Sequence, residues 1–123
     1  MNNFNKCIGS YGEDLALSYL KEKGYYILDK NFKTKHGEID LICIKNNLLI
    51  FIEVKSRYSY SYGSPLESVT YSKQKQIIKL CKFYIIRKRL FDFNCRFDVI
   101  EIYLNKKDTS YSINHIKDAF RGY

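Results

Sequence analysis

Gly37-Glu-Ile-Asp-Leu-Ile-Cys-Ile-Lys-Asn-Asn-Leu-Leu-Ile-Phe-Ile-Glu-Val-Lys-Ser-Arg57 is the stretch that decides the fold. Two apolar, β-branched runs flank Asn46-Asn47. Asparagine tolerates positive φ, so the pair suits the tight turn of a two-residue hairpin. If Lys45 pairs with Leu48, Asp40 lies directly opposite Glu53, and Glu38 opposite Lys55. Side chains alternate along a strand, so these four project from one face, with Ile42, Ile44, Leu49 and Phe51. The other face carries Ile39, Leu41, Cys43, Ile50, Ile52 and Val54. A hairpin apolar on both sides belongs in the middle of a sheet covered on both faces.

Two carboxylates therefore sit side by side at one end of an otherwise buried surface. Opposed like charges destabilise paired strands, and burial makes the charged forms costlier still. A lysine relieves this in part, and a divalent cation held by oxygen ligands relieves it further. The expectation is a metal site on Asp40 and Glu53 with Lys55 beside it. The competing reading is a metal-free ion-pair cluster, Glu38 with Lys55 and Asp40 with Lys35 or Arg57. Buried pairs are seldom more stable than apolar replacements, which makes that a weak reason for four charges here.

On the N-terminal side, Ser10-Tyr-Gly-Glu13 fits a capping box, and Leu15, Ala16, Tyr19 and Leu20 follow one helical face up to Gly24. A helix is expected over 10–23, with Glu13 either closing the cap or serving as a carboxylate in the first turn. Residues 25–34 read as a strand, broken near Asp29–Asn31. Thr34-Lys35-His36-Gly37 turns into the hairpin, where His36 either meets a phosphate or is merely solvated.

On the C-terminal side, Tyr58, Tyr60 and Tyr62 alternate with serines before Gly63-Ser-Pro65, which suggests a loop at the mouth of the site. Rings next to Arg57 can stack on bases or pack on the domain. Ser68 or Thr70 can cap a second helix running to Arg87 or Arg89, with Ile77, Ile78, Cys81, Tyr84 and Ile85 as its buried stripe and Lys75, Lys79 and Lys82 outside. Lys73 falls in the first turn, where a cation opposes the helix dipole unless a phosphate binds; it is either solvated or a phosphate ligand. Asn94–Leu104 reads as a fourth strand, Ser110–Ile116 as an edge strand, and Ile116–Phe120 as one helical turn.

One domain over 1–123 is expected, large enough for a substantial core. There is no apolar run of bilayer length and no signal-like N-terminus, so a cytoplasmic protein without a membrane partner is expected. Four scattered cysteines without a Cys-x-x-Cys argue against zinc, and Cys43 and Cys81 sit at apolar-periodic positions. Lys and Arg total 21 against 13 Asp and Glu, a net +8, which favours a polyanionic partner.

Several motifs together resemble the YraN-like family of small bacterial proteins. They are Gly12-Glu13-Asp14-x-Ala16, Gly24-Tyr25-x-Ile27-Leu28-x-x-Asn31-Phe32, Gly37-Glu38-Ile39-Asp40-Leu41-Ile42 and Phe51-x-Glu53-Val54-Lys55-x-Arg57. Further along come Gly63-x-Pro65-x-Glu67-x-Val69, Lys73, Arg96-Phe97-Asp98-Val99 and His115-Ile116-x-x-Ala119-Phe120. The resemblance covers nearly the whole chain. It implies an α/β, restriction-endonuclease-like fold: a central mixed β-sheet of four to five strands flanked by helices on both faces, similar in layout to Holliday-junction resolvases.

It further implies that Asp40 and Glu53 bind metal, that Lys55 is the basic partner and that Glu13 joins them from the first helix. Ile39 stands where the superfamily often has proline. Hard carboxylate oxygens suit Mg²⁺ or Mn²⁺. The expected function is metal-dependent hydrolysis of DNA, on branched or structured substrates, with RNA as a less favoured target. Arg57, Lys73, Lys35, His36 and Tyr58 are the expected nucleic-acid contacts, and a homodimer is expected by analogy with resolvases. The alternative is a nucleic-acid-binding module that keeps the fold without cutting.

Overall fold

The computed structural model describes residues 2–58 and 69–121, with side chains from residue 9 onward. The elements are α1 (Asn2–Glu22), β1 (Tyr26–Thr34), β2 (Gly37–Lys45), β3 (Leu48–Tyr58), α2 (Tyr71–Lys88), β4 (Asn94–Leu104) and β5 (Tyr111–Phe120). The strands form one sheet in the order β1-β2-β3-β4-β5. Neighbours are antiparallel except β3 and β4, which run parallel and need a crossover; α2 supplies it. The protein is thus α/β with a five-stranded mixed sheet, consistent with a restriction-endonuclease-like fold.

The Asn46-Asn47 bend sets the anticipated register, Lys45 against Leu48 through Leu41 against Ile52, with Asn46 at φ 56°. Leu41, Cys43, Ile50 and Ile52 pack on one face with Ala16 and Leu20 of α1. Ile42, Leu49 and Phe51 pack on the other with Ile77, Leu80, Cys81 and Tyr84 of α2. Covering both faces explains why this hairpin lacks a polar side. Cys43 and Cys81 are buried free thiols.

Three local expectations are corrected. α1 begins at Asn2, so Ser10 does not cap it and Glu13 lies mid-helix; a Ser-x-x-Glu pattern also fits a helix interior, and Gly9 is tolerated there. Ile39 packs on the α2 side rather than with Leu41 and Cys43, because the alternation slips at Asp40. Opposite Asp40 on β1, Asn31 takes φ 54° and neither residue appears in the strand pairing. Finally, Ile116–Phe120 continues β5 instead of forming a helical turn. Asp118 at φ 55° donates its backbone N–H to Asp98 Oδ1 (3.0 Å), and Phe120 pairs with Phe97.

Thr70 caps α2, its hydroxyl accepting from Lys73 N at 3.2 Å. The tyrosine-serine loop with Tyr60, Tyr62 and Pro65, the motif residues Gly63 and Glu67, the alternative cap Ser68 and the Cys7 side chain lie outside the described residues.

Candidate active site

The β2–β3 ladder stops at Leu41–Ile52, one residue short of the acids. Asp40 turns its carboxylate into the ladder instead, and Oδ2 accepts the Val54 N–H at 2.8 Å. A side chain replaces the main-chain acceptor where the ladder ends. Asp40 and Glu53 remain electrostatic neighbours. Burial first, then the Glu53 charge, raises the Asp40 pKa from 3.8 to about 7, against the opposing Val54 hydrogen bond.

Glu53 is the most enclosed member, its side chain 7% exposed. Oε1 accepts from Lys73 Nζ at 2.8 Å and lies 3.6 Å from Lys55 Nζ. Oε2 is buried and has no hydrogen-bond partner among the described residues. Such an atom in a native fold calls for a partner, an ordered water or an ion. Burial and the adjacent Lys73 group lower the Lys55 pKa, while Glu53 and Asp40 work the other way. For Lys73, burial lowers the pKa, but the hydrogen bonds to Glu53 and Lys55 and the charges of Glu53 and Asp40 together outweigh it, and the pKa is raised. Lys73 is thus not merely solvated; it pairs with Glu53 across the start of α2.

Glu13 reaches the same end of the sheet from the α1 side. Gly12 makes the approach possible: a Cβ there would overlap Ser56 Oγ on β3. The Asn31 amide, with its nitrogen toward the acids, donates to Glu13 Oε1 (2.7 Å) and Glu38 Oε1 (3.0 Å). Burial raises the Glu13 pKa, followed by the charges of Glu38, Asp14 and Glu53. A small polar pocket of about 170 Å³ opens here, lined by Ser10, Glu13 and Asn31 among others. Glu38 departs from expectation: it makes an exposed 3.9 Å contact with Lys33 and shares Asn31 with Glu13, instead of facing Lys55.

A family model for the uncharacterised protein family UPF0102 matches residues 12–102. This chain belongs to the UPF0102 family. It is 63% identical to a UPF0102 protein of Clostridium botulinum strain Eklund 17B over 98% of this chain and 99% of that one. A UPF0102 protein of Clostridium beijerinckii is 60% identical over 98% of each chain, and one of Clostridium perfringens strain 13 is 53% identical over 98% of this chain and 99% of that one. The UPF0102 match runs from Gly12, the residue that seats α1 on β3, through Lys73 and into β4.

The remaining predicted positions in this UPF0102 chain are dispersed. Lys35 and His36 are exposed in the β1–β2 turn, which α2 holds through a hydrogen bond from Gln76 Nε2 to the His36 carbonyl. Arg57 is half-buried late in β3. Tyr58 packs against the α1-side core with Lys106 Nζ 5.0 Å from its ring centre. Sequence reasoning gave no site role to Asn31, although the predicted break in β1 marks it.

A second polar cluster lies on the α1 side of β4. Buried Asp98 receives Arg96 at 2.9 Å on each oxygen and His115 Nε2 at 2.7 Å, and His115 Nδ1 meets Tyr19 OH at 3.1 Å. These bonds tie β5 and α1 to β4, a structural role. An apolar pocket of about 500 Å³ between α2 and the β4–β5 edge, lined by Leu48, Ile78, Asp118 and Phe120 among others, includes none of Glu13, Asp40 and Glu53.

Proposed function

We propose that this chain is a metal-dependent nuclease of the restriction-endonuclease-like superfamily, hydrolysing phosphodiester bonds of DNA, with branched or structured DNA as its substrate. One observation carries the reading. Glu53, buried and with a carboxylate oxygen left unpartnered, stands beside an Asp40 whose pKa is held near neutrality. That donor set fits a hard divalent cation, Mg²⁺ or Mn²⁺. Among the described residues no three His, Cys, Asp or Glu side chains form a complete cage. Mg²⁺ is nonetheless ordinarily held by one or two carboxylates and completed by water and phosphate oxygens.

Asp40 and Glu53 would hold the ion, which when bound lowers the pKa of a water and screens phosphate charge. Lys55, whose Nζ lies 3.6 Å from Glu53 Oε1, would orient the attacking water and stabilise charge growing on the phosphate. Lys73 balances Glu53, and Asn31 sets the position of Glu13. Surface lysines would hold the backbone, giving salt-sensitive binding with little sequence preference.

The test is a cleavage screen over linear, nicked, flapped and four-way DNA, and matching RNA, with Mg²⁺ or Mn²⁺. The reading expects metal-dependent cutting that Asp40→Asn and Glu53→Gln abolish. Cutting that survives both changes would overturn it. The lack of a three-ligand His, Cys, Asp or Glu group among the described residues favours a second reading, a nucleic-acid-binding module that keeps the fold without cutting. Binding without cutting on every substrate would select it.

A further inference from the structure

α2 is unusually one-signed. It carries Lys73, Lys75, Lys79, Lys82, Arg87 and Lys88, is capped by Arg89, and contains no Asp or Glu. Set against a net charge of +8 for the whole chain, the excess is concentrated on this element. Like charges three and four residues apart weaken a helix, and α2 is held instead by Ile77, Leu80, Cys81 and Tyr84 beneath it. Lys73 is matched by Glu53. Lys75, Lys79 and Lys82 are exposed and make no ion pair with an acid among the described residues.

Tyr71, Lys75, Lys79 and Lys82 recur at spacings of four, four and three, which puts them on one outer face. Tyr71 is 71% exposed, with the Lys75 ammonium 4.7 Å from its ring centre. At ~1.5 Å per residue the stripe is ~16 Å long, and one strand of duplex DNA carries about five phosphates over that length. It begins beside the acids, since Lys73 in the first turn touches Glu53 and Gln76 in the next holds the turn bearing Lys35.

We infer that this outer stripe of α2, extended by Lys35, seats the phosphate backbone of duplex DNA and leads it past Lys73 to Asp40 and Glu53. The inference rests on the proposed function and names the surface that holds its substrate. A lipid surface fits less well, because the main apolar face of α2, Ile77, Leu80, Cys81 and Tyr84, is buried against the sheet and leaves Phe83 and Ile86 as isolated apolar side chains outside it.

The test is fluorescence anisotropy of a 20-base-pair DNA duplex in EDTA over a salt series, comparing wild type with Lys75→Gln/Lys79→Gln/Lys82→Gln. Glutamine keeps helix propensity, and circular dichroism checks the fold. Three lost phosphate contacts should flatten the slope of log K against log salt by ~2.7, so that over a fourfold rise in salt the wild type loses ~40-fold more affinity than the variant. A control on the far side, Lys21→Gln/Lys23→Gln, should leave the slope near wild type. Equal slopes for wild type and the α2 variant would overturn the inference. So would loss of binding to anionic phosphatidylserine vesicles with DNA binding intact. If the α2 variant flattens the slope but wild type neither binds Mn²⁺ nor cuts, the track stands and the hydrolytic reading of the acids fails. Wild type that ignores duplex DNA overturns the inference and leaves the hydrolytic reading to the cleavage screen on branched DNA.

Discussion

Replacing Asp40 with asparagine should make the metal-free protein more stable. The folded state holds the Asp40 proton to about pH 7, whereas an unfolded chain releases it near 3.8. For a carboxyl with a raised folded pKa, the folded state binds more protons across that window, so stability falls as pH climbs through it and is flat above. At 1.36 kcal/mol per unit, ionising Asp40 in the folded state costs up to ~4 kcal/mol. The asparagine amide keeps an oxygen for the Val54 N–H but gives a neutral bond, forfeiting about 1 kcal/mol. The net gain is then ~2–3 kcal/mol at about pH 8, shrinking toward zero near pH 4. Urea denaturation in EDTA at both pH values measures this. A variant less stable than wild type at the higher pH would refute the reasoning, because it would mean Asp40 sits in a stabilising ion pair.

Other substitutions probe the surroundings. Lys73→Ala strips Glu53 of its 2.8 Å partner; metal-free stability should drop by ~1–3 kcal/mol, with Mn²⁺ restoring part of it in denaturation curves. Gly12→Ala forces a Cβ against Ser56 Oγ and should cost ~1–3 kcal/mol while displacing Glu13, read as lower stability together with weaker cleavage. Asp98 is held below the usual carboxylate range: burial raises its pKa, but bonds from His115, Arg96 and the Asp118 N–H outweigh it. Its contribution is therefore present above the unfolded carboxylate pKa and lost as pH falls through the lower folded value. Asp98→Asn should cost on the order of 2 kcal/mol at neutral pH and flatten acid denaturation. An unchanged acid limb would contradict that.

The hairpin was readable because apolar alternation and an Asn-Asn bend fix register locally, from Lys45–Leu48 as far as Leu41–Ile52. Two things were not. Asn31 takes a left-handed conformation inside a strand, and Asp40 swaps a main-chain acceptor for its carboxylate. Both are tertiary choices that leave no periodic trace, and together they move Ile39 and Glu38 off their expected sides. The Lys73–Glu53 pair joins residues 20 apart through a crossover helix, so spacing along the chain carried no hint of it. Ser10-x-x-Glu13 misled because a capping box and a mid-helix pair share one pattern.

Calorimetric titration of Mn²⁺ into wild type, Asp40→Asn and Glu53→Gln near pH 7 bears most directly on whether the two acids share an ion. Wild type should bind with proton release, since Asp40 is partly protonated there, and both variants should show no binding. Binding of equal strength in all three proteins, or none in wild type, would contradict it.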